Sequence, residues 1–378
     1  MENNAAASVQ AVDLDILKPI VRKVLGRDTF EIQEWSFRQL GGGIGNPVSV
    51  GLYRFEGTGQ AAGEMMRWSV VLKIIQSPAN VGQPELGGGD DQSHWNYWKR
   101  EPLLYQSGLL DSLPAGMIAP RFFGMTELPG DMVWLWLEDI TDAEAGNWSL
   151  ERYALTARHF GRMNGVFAAE HVRLPHPWFG RGRLRTWINL IPWRSIPWEH
   201  PLVRSRYPNP ARNTFRRMLE DHERFLARLE ALPQTICHGD TYPTNFMSRR
   251  LPDGEQQTVA LDWALTGIAA LGEDLGQLIY GTQMNLKEVD PQEVDRRLFD
   301  SYLLGLQESG LVFDPPAVRF AMAAGGALQI GLFQLFLMSE MLKQGDAVLG
   351  QIPEPDAQQP DCFEVVMANE AYRLLEVQ

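Results

Sequence analysis

Three oxygen-bearing side chains have the types and spacing to do chemistry: Asp240 in His238-Gly239-Asp240, Asn245 five residues later, and Asp262 in Leu261-Asp262-Trp263. Between the last two run Asn245-Phe246-Met247-Ser248-Arg249, a Pro252-Asp253-Gly254 turn and Thr258-Val259-Ala260-Leu261. Asp-Gly between two strand-like runs signals a β-hairpin. A hairpin folds its ends together, so this one is expected to bring Asn245 and Asp262 beside Asp240. Taken singly, each residue would be an ordinary cap or turn residue. Order, spacing and the intervening hairpin set them apart as a group. Hard oxygen ligands beside a further carboxylate suit a Mg²⁺ ion carrying nucleotide phosphates, with Asp240 left to receive a proton.

Positioning such a group takes a sizeable scaffold. With 378 residues and 44% hydrophobic content, the chain can bury a large core and is expected to form two lobes. Its net charge of −13 argues against a general nucleic-acid or anionic-membrane partner. Two cysteines make no disulfide framework, and reduced, cytoplasmic residence fits that usage. Cys237, directly before His238, reads as a small buried thiol. Residues 1–10 lack the basic and apolar segments of a signal peptide. Phe320 to Met338 approaches the length of a membrane span. Gln329, Gln334 and Gly325-Gly326 inside it, with no basic cluster beside it, favour a helix buried all round.

Along the chain, Val12 to Leu25 has helical spacing ending near Gly26, with Pro19 placed to kink or divide it. Strand-like runs follow at 35–40, 48–55 and 68–75, then a mobile loop at 84–91 and a helix over 94–108. Phe122–Glu127 and Met132–Leu137 read as a hairpin around Pro129-Gly130-Asp131. From residue 150 helical patterns dominate, apart from the motif hairpin. The expected fold is therefore α+β: a small β-rich N-lobe, residues 1–137, and a larger, mainly helical C-lobe, residues 138–378. A Pro/Gln-rich loop at 353–360 precedes a last helix from Phe363 to Leu375.

Leu40-Gly41-Gly42-Gly43-Ile44-Gly45-Asn46 lies between the first two strands. Glycines there let main-chain N–H groups approach phosphate oxygens. No Gly-Lys-Ser/Thr follows, so this is no Walker loop, and no helix follows, so it is no dinucleotide fingerprint. Lys73 stands in Val70-Val71-Leu72-Lys73-Ile74-Ile75, on the same face as Val71 and Ile75. A lysine in that setting either snorkels at an edge or holds the α- and β-phosphates of a nucleotide; its company favours the second. Its acidic partner is expected to be Glu101, with Glu85 as the fallback, because Pro102 could displace Glu101 by kinking or restarting the helix.

His238-Gly239-Asp240, four residues, Asn245 and then Asp262-Trp263 resemble the signature of the aminoglycoside phosphotransferase and choline kinase family. The resemblance implies a bilobal, protein-kinase-like fold and transfer of the γ-phosphoryl of ATP to a hydroxyl of a small molecule. It makes Asp240 the catalytic residue and Asn245 and Asp262 the Mg²⁺ ligands. It places Gly42, Gly43, Gly45, Asn46, Lys73 and Glu101 around the nucleotide phosphates, and the main chain of Trp136, Leu137 and Glu138 at the adenine. His238 would shape the loop, and Asp274 would steady it.

The acceptor is less defined. Residues 178–217 hold Trp178, Trp187, Trp193 and Trp198 and nine arginines against the single Glu199. Such a stretch would repel a polycationic aminoglycoside unless its arginines face solvent or pair with acids, of which Glu288, Asp290, Glu293 and Asp295 are examples. An antibiotic or another hydroxylated metabolite both remain open. The reading from another class is a kinase-fold nucleotide-binding module without turnover. A hydrolase lacks support, with no Gly-x-Ser-x-Gly elbow, and no activation-loop-like segment follows Asp262 to suggest a protein kinase.

Overall fold

The computed structural model describes residues 9–41, 48–81, 91–170, 176–343 and 362–376. Gly42, Gly43, Gly45, Asn46 and Glu85, with the 353–360 loop and all but the last residue of the 84–91 loop, lie outside the described residues. The chain forms two compact units: residues 1–146, 177–180 and 246–265, and residues 147–176, 181–245 and 266–378. This is not the single cut near residue 138 expected from the sequence, because the motif hairpin belongs with the N-terminal strands.

The first unit begins with the helix Leu14–Leu25. Asp13 caps it by accepting from the Ile16 N–H at 3.0 Å, and Gly26 ends it at φ 62°. Pro19 sits inside this one helix rather than dividing it. A five-stranded antiparallel sheet follows in the order Glu31–Leu40, Ser49–Ala61, Glu64–Gln76, Met132–Leu137, Phe122–Leu128. Its first three strands outrun the expected apolar runs because a tight turn at Ala62-Gly63 extends the pairing to Ala61↔Glu64. Those outer rungs are largely exposed and polar, so alternation of apolar residues could not show them. The helix buries Leu17, Ile20 and Val21 against Phe55, Val70, Leu72, Ile74 and Trp136.

The motif hairpin pairs Phe246–Arg250 with Gln256–Ala260, Phe246 opposite Ala260. Met117-Ile118 adds to its second strand in parallel. Asp142 accepts from the Ser248 N–H, and the Ala143 N–H donates to the Ser248 carbonyl, both at 2.8 Å. These bonds tie the hairpin to residues 142–143 of the same unit.

The second unit is mainly helical and includes the antiparallel pair Gln234–Cys237 and Gly267–Ala270. Its longest helix, Pro315–Lys343, is long and apolar enough to cross a membrane, and 78% of its most apolar window is buried inside the fold. Gly325-Gly326 has a packing role: a Cβ on Gly276 of the Glu273–Asn285 helix would lie 2.7 Å from the Gly326 Cα. The helices Leu150–Glu170 and Pro291–Glu308 approach as closely. A Cβ on Gly161 would meet the Tyr302 carbonyl oxygen at 2.1 Å, and one on Gly305 the Arg158 carbonyl oxygen at 2.0 Å. Because backbone blocks both positions, Gly305→Ala should destabilise the protein by about 1–3 kcal/mol, as overpacking does. Denaturant unfolding checks this, with Gly310→Ala, where nothing crowds the Cβ, separating local backbone strain from the helix contact.

Candidate active site

In the first unit, Lys73 is 4% exposed in the middle of its strand. Its ammonium lies 2.6 Å from Glu101 Oε2 and donates to Asp262 Oδ1 at 2.7 Å. Burial alone would lower the lysine pKa, but the Asp262 and Glu101 charges outweigh it and the pKa rises, so Lys73 stays protonated. Burial pushes the Glu101 carboxyl upward, and Lys73 pulls against it. Glu101 stands in the first turn of the helix Arg100–Gln106. Pro102 belongs to that same turn, where a proline removes no needed intrahelical hydrogen bond. The preceding residues 94–99 are turns rather than the expected helix, so the helix starts late instead of kinking.

The neighbouring Arg100, 0% exposed, locks the arrangement. Its guanidinium donates to the carbonyls of Trp178 and Trp95, both at 2.6 Å, of Ala264 at 3.1 Å and of His94. Glu101 Oε1 accepts from the Trp263 N–H at 3.3 Å, so the residue after Asp262 is held by the partner of Lys73. Asp262 itself is at φ 54°, a left-handed conformation that Asp tolerates better than most residues. Its side chain is 36% exposed, against 6% for Lys73 and 1% for Glu101.

In the second unit, the His238-Gly239-Asp240-Thr241 loop is fastened to the first two turns of the helix Glu273–Asn285. Asp274 accepts from the His238 N–H at 2.8 Å and from the Gly239 N–H at 3.0 Å. One turn on, Gln277 accepts from the Thr241 N–H at 2.7 Å and donates to Asp240 Oδ1 at 3.0 Å. The buried His238 ring accepts the Asp240 N–H through Nδ1 at 3.2 Å, a loop-shaping contact. Arg183 donates to the Gly239 carbonyl and lies 3.7 Å from Glu273. Asn245 donates through Nδ2 to the Asp240 carbonyl at 3.0 Å, which directs its amide oxygen away from that bond. Arg100 and Gln277 gave no motif signal; Asp274-x-x-Gln277 at a helix start was the available cue for the second.

Trp136 and Leu137 lie in a strand flanked on both sides, opposite Leu72 and Gly124 and opposite Val71 and Phe122, and the Glu138 N–H goes to the Arg121 carbonyl at 2.9 Å. The main chain expected to meet adenine thus stands in the interior of the sheet rather than at its edge. The Glu138 side chain is engaged by Arg249 at 2.8 Å. Most of the arginines of 178–217 pair with acids, the condition under which that stretch would not repel a cation. Arg185 pairs with Glu223 and Glu230, Arg206 with Glu364, Arg212 with Glu199, and Arg216 with Glu220. The acids singled out in sequence go elsewhere: Asp295 to Arg319 and Glu293 to Arg296. Trp178 and Trp193 are buried as core.

The donor chemistry fits Mg²⁺ and a polyphosphate. No group of three or more His, Cys, Asp or Glu side chains among the described residues would hold a metal without other oxygens. Magnesium characteristically takes one or two protein oxygens and completes its shell with phosphate and water. Asp262 in the first unit and the Asn245 amide in the second each offer an oxygen of that type, and Lys73 a cation of the type that pairs with phosphate.

Lys73→Met would leave Glu101 buried without its counter-ion and should cost about 3–5 kcal/mol. Adding Glu101→Gln should recover much of that loss, as read from urea midpoints. A second carboxyl responds to pH. Burial, and to a lesser degree Asp274, raise the Glu273 pKa to about 7 from an ordinary 4.5, with Arg183 opposing. Between those values the folded state keeps a proton that the unfolded state has lost. Stability should therefore fall as pH rises from 4.5 to about 7, by up to about 3 kcal/mol, then level off. Glu273→Gln should flatten that slope in unfolding measured at pH 5 and pH 8.

No curated protein sequence matches the chain. Similar solved structures include amicoumacin kinase hAmiN in complex with AMP-PNP, Ca²⁺ and Ami, at 14% identity over 98% of this chain and 96% of that one, TM-score 0.49. Choline kinase LicA from Streptococcus pneumoniae is 14% identical over 96% and 99%, TM-score 0.42. Aminoglycoside phosphotransferase APH(3'')-Id from Streptomyces rimosus, with ADP and streptomycin, is 16% identical over 86% and 99%, TM-score 0.43. The model of the phosphotransferase enzyme family, APH, matches residues 112–320, more than half of the chain and the span that holds Asp240, Asn245 and Asp262. The chain therefore belongs to the phosphotransferase enzyme family, and its own structure is α+β.

Proposed function

We propose that the protein is a Mg²⁺- and ATP-dependent kinase that moves a γ-phosphoryl group to a hydroxyl of a small molecule, such as an antibiotic or another hydroxylated metabolite. The observation that carries this reading is Lys73 buried between two carboxylates. Replacing buried ion pairs with apolar residues is often neutral or stabilising, so stability alone gives little reason for such a lysine inside a sheet. Binding polyphosphate does give one. Glu101, the more buried partner, fixes the ammonium in place, and the ammonium offers charge to nucleotide phosphates.

Bound Mg²⁺, held by Asn245 and Asp262, would neutralise phosphate charge. Asp240 orients the acceptor hydroxyl and takes its proton as the oxygen–phosphorus bond forms. No covalent enzyme intermediate is needed; positioning and charge stabilisation supply the acceleration. A silent nucleotide-binding module would have little use for an Asp240 held on a loop fastened at four consecutive residues.

The test is mass spectrometry of aminoglycosides, macrolides, nucleoside antibiotics, sugars, choline and homoserine incubated with protein and Mg·ATP. A product 80 Da heavier is expected with the wild type, corresponding to one added phosphoryl group. EDTA should abolish it. Asp240→Asn should lower turnover by about a thousandfold while ATP affinity holds. Full turnover in Asp240→Asn would refute the assignment. ATP binding without a product on a broadened panel would favour the silent module.

A further inference from the structure

Gln277 is the residue whose engagement the proposed chemistry leaves unexplained. Its side-chain amide spans two neighbours on the catalytic loop. Oε1 accepts from the Thr241 N–H at 2.7 Å, and Nε2 donates to Asp240 Oδ1 at 3.0 Å. Amide oxygen and nitrogen are normally assigned by their partners. Here the assignment is forced from both sides, since a main-chain N–H can only donate and an ionised carboxylate can only accept. The amide cannot flip without placing donor against donor and acceptor against acceptor.

The support behind it is equally defined. Gln277 lies three residues after Asp274, so both side chains leave one face of the Glu273–Asn285 helix. Asp274 takes the N–H groups of His238 and Gly239, and the Thr241 hydroxyl donates to the Asp274 carbonyl at 2.5 Å. The helix itself is set by close backbone packing at Gly276. A carboxylate on a loop has two soft side-chain torsions. The helix fixes the backbone beneath them through Asp274, and Gln277 reaches the carboxylate itself.

We propose that Gln277 is a positioning residue for phosphoryl transfer: its amide orients the Asp240 carboxylate toward the acceptor hydroxyl. This rests on the kinase reading above. Asp274 alone would hold the loop without controlling the direction of the reacting group. A misplacement of about 1 Å can cost about a hundredfold in rate, so the contact should act on turnover rather than on nucleotide affinity.

Two variants isolate the effect. Gln277→Met keeps the volume and removes donor and acceptor. Gln277→Glu keeps an acceptor for the Thr241 N–H but loses the donor to Asp240. Both should lower kcat by about tenfold to a hundredfold, with KM for ATP unchanged within about twofold and the melting temperature of Gln277→Glu close to wild type. Wild-type kcat in either variant would overturn the proposal. So would a loss expressed mainly in KM for ATP or in melting temperature, since a purely structural role predicts that.

A further readout needs no turnover. The Gln277 side-chain amide ¹H–¹⁵N signal, identified by its disappearance in Gln277→Met, should shift in Asp240→Ala. An unmoved signal would refute the contact. A shifted signal together with a wild type that phosphorylates nothing would instead refute the kinase reading and the positioning role built on it.

Discussion

An ammonium group almost out of water, deep in a β-sheet, is the constraint on which the first compact unit is arranged. Burying it disfavours its charge, and Lys73 stays protonated only because Glu101 and Asp262 stand within hydrogen-bonding distance. Each carboxylate then needs support of its own. Glu101 obtains it from its place in the first turn of a helix, where partial positive charge gathers, and from the Trp263 N–H. Arg100 secures that turn by spending its donors on main-chain carbonyls rather than on acids. The Asp262 segment is delivered by a hairpin more than a hundred residues downstream of Glu101, which the unit must therefore incorporate.

The second unit meets a different requirement with a similar economy of parts. A sharp loop exposes main-chain N–H groups that no strand or helix satisfies, and buried unpaired donors are costly. His238, Gly239 and Thr241 direct theirs to the side chains of Asp274 and Gln277, while Asp240 directs its own to the His238 ring. The Glu273–Asn285 helix thereby acts as a template for the loop. The glycines that let this helix approach its neighbour closely are part of the same device, since a displaced helix would carry both side chains away from the loop.

Much of this was legible in the sequence where local chemistry and local geometry coincide. The Asp-Gly turn, the flanking strands and the 122–137 hairpin follow from turn residues and alternation, and the Lys73 strand follows from a run of β-branched neighbours. Glu101 could be named, but its position could not be fixed, because Pro102 reads as a breaker until its place in a first turn is known. Gln277 was nearly invisible for another reason. Its partners lie thirty-six and thirty-seven residues away, and apart from its spacing from Asp274 a glutamine in a helix carries little signal until the loop is seen against it. That Trp136 and Leu137 sit in an interior strand could not be read in advance, because a strand pattern does not say whether its strand is at an edge or in the interior.

The arginines of residues 178–217 show how far a count of charges can mislead about a substrate. Nine positive residues against one acid suggest a cationic surface hostile to an aminoglycoside. In the fold, Arg185, Arg206, Arg212 and Arg216 meet four carboxylates from outside the segment, Glu220, Glu223, Glu230 and Glu364, and Glu199 of their own. Arg183 is drawn to the catalytic loop and Glu273. At contact distance an ion pair presents little net field beyond a Debye length of about 8 Å in physiological salt. The charge an acceptor meets is therefore set by the few groups left unneutralised, and sequence composition cannot name them. What does reach the Asp240 loop from this segment is Arg183, whose donation to the Gly239 carbonyl holds the backbone one residue before Asp240. In this segment, one arginine placed on the loop bears more directly on the proposed chemistry than the sum of the others.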